Sequence, residues 1–409
     1  MHILVVNSGS SSIKFSIFES SAGNSDAEPL CRFDGQVSNI GEPNARLDLR
    51  DADGRSLRGG QSGVKAATPE EAIRLVLHAV SEPRMPAIDA VGYRVVHPGA
   101  KLDRHQRITA AVLSDIEEAV KFAPLHDPEA IAVIREAMAR FPHVPHFACF
   151  DTVFHQTMPE EATTYPVPRR YRDKGVRRYG FHGLSCESIV RQIRIQAHAE
   201  SIEFPKRMVI AHLGGGCSVT ALLDGCSVDT TMGLTPTGGV VMETRSGDLD
   251  PGLILYLLRQ QEDEGRKGLS AVETILNRES GMSALAGMAG DVKVLRQAAA
   301  RGDEQAVLAL KIFTRSVTRA IGGFCWILGG LDAIAFAGGV GEHDEMARAE
   351  ILGNLHSLGI SISSSANEGK GHGVRRISAS ESKTAVFVAP AQEDLMIAVH
   401  VDRMARLKG

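Results

Sequence analysis

An apolar run at 3–6, a small-residue turn at 8–12 and a returning apolar run at 13–18 recur in pattern about two hundred residues later. The second set is an apolar run at 208–211, the turn Leu213-Gly214-Gly215-Gly216 and a return at 219–223. Short apolar runs bounded by turn signals are strands buried on both faces. Two such hairpins, one opening each half, point to an internal duplication, carried by pattern and not by aligned identities.

Between and after the hairpins the pattern alternates. Strands are expected at 88–96, 146–150, 333–337 and 385–389. Helices are expected from the capping box Ser114-Asp115-Ile116-Glu117, from Asp127-Pro128 to about Phe141, from Asp250-Pro251, over 305–328 and from near Glu393. Strands alternating with helices give an α/β fold with largely buried sheets. The stretch 22–63, rich in Asp, Gly and Arg, reads as turns and exposed hairpins. A chain of 409 residues holds two such domains comfortably.

Composition excludes several classes. With 43% hydrophobic and 23% charged residues the chain is an ordinary globular one. A formal net charge of −4 argues against a general nucleic-acid binder, and the basic cluster at 169–178 reads as a solvated face. The six cysteines form no CxxC pair and are expected to be reduced, mostly buried thiols of a cytoplasmic protein. No signal peptide is read at the start. The apolar stretch 321–340 is broken by Asp332 and by glycines, so it divides into a helix end, a turn and a strand, and no membrane association is expected.

Ligands of open α/β sheets bind beyond the carboxyl ends of strands. Asn7, Arg94, Asp151, His212 and Glu393 follow or close apolar runs there. Asn7 and Glu393 carry hard oxygens of the kind Mg²⁺ accepts. The glycine turns at 213–216 and 338–341 could cradle phosphates with backbone N–H groups, although neither fits the Walker pattern. An arginine fork grips a carboxylate or phosphoryl group at two points, which draws attention to Arg94, Arg178 and Arg245 beside His182. Arg94 lies in Gly92-Tyr93-Arg94-Val95-Val96-His97, an apolar setting that demands a nearby anion. That anion is either a substrate or a structural Asp or Glu.

The order of motifs resembles the acetate kinase (acetokinase) family from the first strand to the last helix. The matching segments are Val6-Asn7-Ser8-Gly9-Ser10-Ser11-Ser12-Ile13-Lys14, Tyr93-Arg94-Val95-Val96-His97, Ala123-Pro124-Leu125-His126, Phe150-Asp151-Thr152 and Phe154-His155-Gln156-Thr157-Met158-Pro159. They continue with Arg178-Tyr179-Gly180-Phe181-His182-Gly183, Val228-Asp229-Thr230, Met232-Gly233 and Thr244-Arg245-Ser246-Gly247-Asp248. The resemblance implies two duplicated ribonuclease H-like domains flanking a nucleotide-binding cleft, 1–151 with 387–409 and 152–386. It implies reversible transfer of a phosphoryl group from ATP to acetate, giving acetyl phosphate and ADP, with Mg²⁺ (Mn²⁺ as an alternative ion), in a homodimer.

By position the resemblance gives Asn7 and Glu393 to the metal and Lys14 to nucleotide phosphates. Arg94 would bind the carboxylate, with Val96, Leu125, Phe181 and Pro236 around its methyl group. Asp151 takes the place assigned as the active-site acid/base, and His182 and Arg245 would stabilise the migrating phosphoryl group. The nucleotide would meet His212, Leu213, Gly214, Gly215 and Gly216, then Asp291, Val292 and Lys293, and Gly339, Val340, Gly341, Glu342 and His343. Acetate is already an anionic nucleophile, so Asp151 is expected to orient metal or water and not to accept a proton. His97, His126, His155 and His212 are expected to tie loops together.

The sequence departs from the family pattern at several points. Gly215 replaces the usual Asn of the first glycine turn, His343 an Asn, Asp127 an Asn and Cys186 a frequent His. The usual Thr-Pro-Leu-Glu-Gly becomes Thr235-Pro236-Thr237-Gly238-Gly239. Glu243 stands where a small residue is common, either pairing with a nearby arginine or discouraging a bound anion. A nucleotide-binding regulator without turnover, or a kinase of propionate or butyrate, are the alternatives.

Overall fold

The computed structural model describes residues 1–409 except 10–11, 22–26, 123–126, 266, 354, 372 and 408–409; the side chains of 59–62 and 121 are likewise outside the description. The chain divides into two compact units, Met1–Val153 with Gln392–Gly409, and Phe154–Ala391.

Among the described residues the first unit forms a sheet of eight strands. They are β1 (His2–Gly9), β2 (Ser12–Glu19), β3 (Leu30–Ser38), β4 (Arg46–Asp51), β5 (Ser56–Ser62), β6 (Ala90–Val95), β7 (Gln106–Arg107) and β8 (His146–Phe150). The spatial order is β5-β4-β3-β2-β1-β6-β8-β7. Strands β1 and β2 pair antiparallel with Ile3 opposite Phe18, as the apolar runs require. The tip at 10–11 falls outside the described residues. β6 then adds parallel to β1 and β8 parallel to β6.

The second unit repeats this plan with β9 (Arg207–Leu213), β10 (Cys217–Leu223), β11 (Cys226–Thr230), β12 (Ala333–Ala337), β13 (Arg375–Arg376) and β14 (Ala385–Val388), ordered β11-β10-β9-β12-β14-β13. β9, β10 and β11 form an antiparallel meander, and β12 and β14 follow in parallel. The cores β3-β2-β1-β6-β8 and β11-β10-β9-β12-β14 thus share order and direction. The duplication read from two hairpins extends to five strands of each sheet, the duplicated ribonuclease H-like plan.

Both faces of each central strand are covered, which is why their sequences are apolar without alternation. Leu4 and Val6 pack with Phe15, Val91 and Tyr93 against Ile73 and Val76 of the helix Pro69–Val80 and Ile134 of the helix Asp127–Arg140. On the other face lies the last helix, Glu393–Arg406, against β1 and β6. Gly92, opposite Val5 in register, makes this approach possible: a Cβ there would lie 2.6 Å from Val401 Cγ2 and 2.7 Å from Ile397 Cγ2. In the second unit, Ile189 and Ile193 of the helix Gly183–Ala199 pack on Met208, Ile210, Ala335 and Phe387.

Three expectations are corrected. The helix expected from Ser114 begins at Ala110, because Thr109 caps it by accepting from the Val112 N–H (3.3 Å); Ser114 and Glu117 lie one turn apart inside the helix, where the same spacing also occurs. The turn after β12 is the start of a short helix, Gly338–His343. Asp127 is the first residue of its helix and accepts from the His97 N–H (3.3 Å), so its carboxylate serves a distant loop. The expected helices after Asp250 and over 305–328 are Pro251–Asp263, capped by Asp250, and Glu304–Ile327, capped by Asp303. The stretch 22–63 supplies β3 to β5, antiparallel hairpins as expected, although Val37, Leu47 and Leu49 on them are buried. No helix among the described residues is long and apolar enough to cross a membrane.

Gly92→Ala is expected to cost about 1–3 kcal/mol by forcing the last helix off β6, seen as a lower urea midpoint. An unchanged midpoint would mean that the helix tolerates a methyl group there.

Candidate active site

The parallel strands of the first unit end at one edge, and the polar residues gather there. Arg94, next to last in β6, gives a two-point contact to Asp151, which directly follows β8: Nε to Oδ1 at 3.0 Å and Nη2 to Oδ2 at 2.6 Å. Its Nη1 donates to Asn7 Oδ1 (3.3 Å), and Glu393 Oε2 is 3.6 Å from Nε. The side chain of Arg94 is 18% exposed, that of Asp151 1%. Burial alone would lower the Arg94 guanidinium, but the charges of Asp151 and Glu393 outweigh it, so its proton is held more firmly than usual. The anion that the apolar setting of Arg94 demanded is therefore present within the protein.

The last helix brings two acids to this edge. Asn7 Nδ2 donates to Glu393 Oε2 (3.4 Å) and to Asp394 Oδ1 (3.3 Å), and Ser16 Oγ donates to Asp394 Oδ2 (3.0 Å). Burial first, then the neighbouring Glu393 charge, push the Asp394 carboxyl up. The two adjacent carboxylates are hard-oxygen donors that a divalent cation would relieve, and they fit Mg²⁺; the Asn7 amide nitrogen faces them, while its oxygen is turned to Arg94. Asp394 and Ser16 were missed by the sequence reading. The Glu393-Asp394 pair at a helix start was the available signal; Ser16 carried none beyond its alternation with Lys14 on β2. Lys14 itself is exposed.

In the second unit the groups assemble around the glycine turn after β9. His182 precedes the helix Gly183–Ala199 in a left-handed conformation (φ 59°), which turns its ring toward β10. Its Nδ1 is hydrogen-bonded to Ser218 Oγ (2.9 Å), and its ring stacks on His212 with centroids 4.1 Å apart. His212 is in turn bonded through Nδ1 to Ser185 Oγ (2.8 Å). A Cβ on Gly216 would lie 3.4 Å from Arg245 Nη1 and 3.5 Å from His182 Nε2, so both face the turn. Arg245 Nη1 also donates to Pro236 O (3.1 Å). The second glycine turn abuts the first: Gly338 has φ +73°, and a Cβ there would strike Leu213 O at 2.6 Å.

Other expected residues fall as follows. Phe181 and Pro236 are buried in the second unit, and Val96 is half-buried just after β6. Leu125 and His126 lie outside the described residues. Asp291 is exposed and caps the helix Val292–Ala300, accepting from Val294 N–H (3.1 Å); Val292 is buried and Lys293 exposed. Gly339 is exposed, Val340 half-buried, Gly341 buried and His343 exposed at the end of its short helix. Glu342 Oε1 accepts from the Ala391 N–H (3.1 Å).

Arg178 is tied up structurally, its Nη1 donating to the carbonyls of Thr230, Thr231 and Met232 at 2.8, 2.9 and 3.3 Å. His155 is fully enclosed between Ser227 Oγ and Phe181 O, both at 2.9 Å, and burial lowers it to about 4. It steadies the residue before His182. His97 accepts from the Gly99 N–H (2.8 Å) and stacks on Phe122. These two histidines do tie loops; His212, by contrast, belongs to the glycine-turn cluster. All six cysteines are free thiols, with Cys149, Cys186 and Cys217 buried.

The duplicated fold and these groups of arginine, imidazole and glycine turns define a phosphotransferase. The model of the acetokinase family matches residues 2–399. Over 407 residues the chain is 37% identical to an acetate kinase of Halothermothrix orenii, covering 97% of this chain and 98% of that protein. Two crystal structures superpose on almost the whole chain. A propionate kinase from Francisella tularensis has a TM-score of 0.86 at 32% identity, covering 98% and 99% of the two chains. The Porphyromonas gingivalis acetate kinase has 0.82 at 31%, covering 99% of each. The chain belongs to the acetokinase family, kinases whose acceptor is a carboxyl group.

Asp127 offers a test of the buried loop near Arg94. Its Oδ2 has no hydrogen-bond partner among the described residues, and burial, then the Asp151 charge, raise the carboxyl to about 8 despite the His97 N–H. The folded chain therefore keeps a proton between about pH 4 and 8 that the unfolded chain releases, and stability falls as pH rises through that window. Asp127→Asn is expected to remove this slope, gaining stability over the parent at pH 8–9 and little at pH 4. Parallel denaturation curves for both proteins across that range would contradict the assignment.

Proposed function

We propose that the chain transfers the terminal phosphoryl group of ATP to acetate, reversibly, giving acetyl phosphate and ADP in the presence of Mg²⁺. The observation that carries the reading is the held arginine of the first unit. Asp151 fixes Arg94 through Nε and Nη2, and Asn7 takes one contact from Nη1. A guanidinium has five N–H donors, so both terminal nitrogens keep donors for an entering carboxylate. Asp151 in this reading is the brace of Arg94, and no proton transfer is asked of it, since acetate is already ionised at neutral pH.

His182 and Arg245 stabilise the migrating group. Ser218 sets the ring of His182 through Nδ1 and leaves Nε2 toward the turn, where it donates to a phosphoryl oxygen. The Pro236 carbonyl holds Arg245 in place for the same purpose. Charge in a loose transition state spreads over three equatorial oxygens, so fixed donors lower the barrier more than acid–base chemistry could. The Gly214 N–H closes the turn on Gly216 O (3.1 Å), which leaves the N–H groups of Gly215 and Gly216 as the ones offered to the nucleotide phosphates. Asn7, Glu393 and Asp394 would hold Mg²⁺, which supplies neutralisation of phosphate charge when bound.

A second reading keeps the chemistry and changes the acid. It is favoured by the likeness to a propionate kinase, and one methylene alters binding by only about 1–3 kcal/mol. The ratio of kcat/KM for acetate, propionate and butyrate decides between them. Free, partly buried thiols and the absence of a membrane-length helix among the described residues support a cytoplasmic setting. A homodimer is supported by apolar side chains left at the surface of two adjacent helices: Leu253, Leu255 and Tyr256 on Pro251–Asp263, and Leu269 on Gly268–Arg278.

Hydroxylamine trapping is expected to show acyl phosphate formed from acetate and Mg-ATP; no product above a no-enzyme control refutes the kinase. Arg94→Ala and Arg245→Ala are each expected to lower kcat roughly 10²-fold or more, and parental rates in either variant would reject its role. Light scattering should give twice the chain mass, and Leu255→Asp with Tyr256→Asp should halve it. A dimer that survives both changes would locate the interface elsewhere.

A further inference from the structure

Two chemically opposed groups flank the glycine turn after β9. Arg245 Nη1 and His182 Nε2 stand beside Gly216, whereas a carboxylate stands beside Gly215: a Cβ at Gly215 would lie 3.1 Å from Glu243 Oε2. The backbone of Glu243 is pinned to this place. Its N–H donates to Gly215 O (3.4 Å), and its carbonyl accepts from the Ser283 N–H (2.9 Å). Gly290 packs so closely that a Cβ there would strike Glu243 O at 2.5 Å. These contacts fix the Cα of Glu243 beside the turn, from which its side chain reaches over Gly215.

The sequence left two roles open for Glu243, an arginine partner or an obstacle to anions. No cation compensates it among the described residues; burial, then the like charge of Asp291, push its carboxyl up. Arg245, two residues on, is turned instead to Pro236 O and the Gly216 side of the turn.

We infer that Glu243 sets the affinity for the nucleotide: it takes the side-chain space above Gly215 and sets a negative charge against the phosphates that the turn, Arg245 and His182 draw in. The inference rests on the reading of 212–216 as the nucleotide-phosphate turn. It makes the two departures from the family pattern one event, because Gly215 has no side chain where the carboxylate of Glu243 sits. It also confines the effect to the nucleotide, since the carboxylate of acetate is assigned to Arg94 in the other unit.

The test measures Mg-ATP binding by calorimetry without acetate, together with KM for ATP and for acetate. Glu243→Gln, of the same shape without the charge, is expected to bind Mg-ATP about 5–10-fold more tightly, with KM for ATP falling in step and KM for acetate unchanged. Gly215→Asn alone is expected to weaken Mg-ATP binding, and adding Glu243→Ala to restore it, a coupling beyond the sum of the single changes. Thermal melts of each variant separate altered binding from loss of fold. Equal or weaker binding by Glu243→Gln overturns the inference, as it would if the carboxylate held a cation for the phosphates. Additive effects in the double variant overturn the shared-space argument. A parent that binds Mg-ATP yet yields no acyl phosphate refutes the kinase reading, while the calorimetric comparison still decides the role of Glu243.

Discussion

The docking of the last helix on the first two parallel strands underlies most of what the first unit does. Ile397 and Val401 come down on β6 at the one position, Gly92, where no side chain intervenes. At the far end of the helix, Asp402 accepts from Ser20 and from Arg406, while Arg406 Nη2 reaches Ser20 Oγ (2.8 Å) and Ser21 O (2.7 Å). Packing in the middle and polar ties at one end fix the helix axis, and that axis delivers Glu393 and Asp394 to Asn7 and Arg94. The acids are more than 380 residues from Asn7 in the chain, so their meeting is a property of the packing alone.

The electrostatic logic of the two units differs. In the first, a buried guanidinium is balanced by Asp151 and Glu393, a pair whose removal on one side would leave an expensive uncompensated charge. In the second, Arg245 and His182 face the glycine turn, and the carboxylate of Glu243 beside them is of the wrong sign for its neighbourhood. Rigidly held donors are what a phosphate-handling surface requires.

The sequence made the strands legible because their positions in the middle of sheets impose apolar runs, and it made the strand-end residues legible because polar residues there interrupt those runs. Asn7, Arg94, Asp151, Glu393, His182, His212 and Arg245 were all visible in this way or through the family motifs. The supporting hydroxyls were not. Ser16, Ser185 and Ser218 look like any serine in a strand or helix until the fold sets each beside a carboxylate or a ring. The capping box at Ser114 misled because its spacing is also that of neighbours within a helix, and only the Thr109 bond shows where the helix starts. The helix Pro69–Val80 was passed over, although Thr68 before a proline and two acids is a standard beginning. The fate of Glu243 could not be read at all: whether a carboxylate finds an arginine depends on side-chain directions that no spacing encodes.

The return of the chain to its first unit also has a consequence for its synthesis. β14 closes the second sheet at Val388, so that unit possesses every strand before the final helix is made. The first unit, although its strands are translated earliest, must wait with the bare apolar face of β1 and β6 until residues 393–406 leave the ribosome. Domains generally fold in the order they emerge; here the amino-terminal one is finished last, and exposed β-sheet during translation is the hazard its arrangement creates.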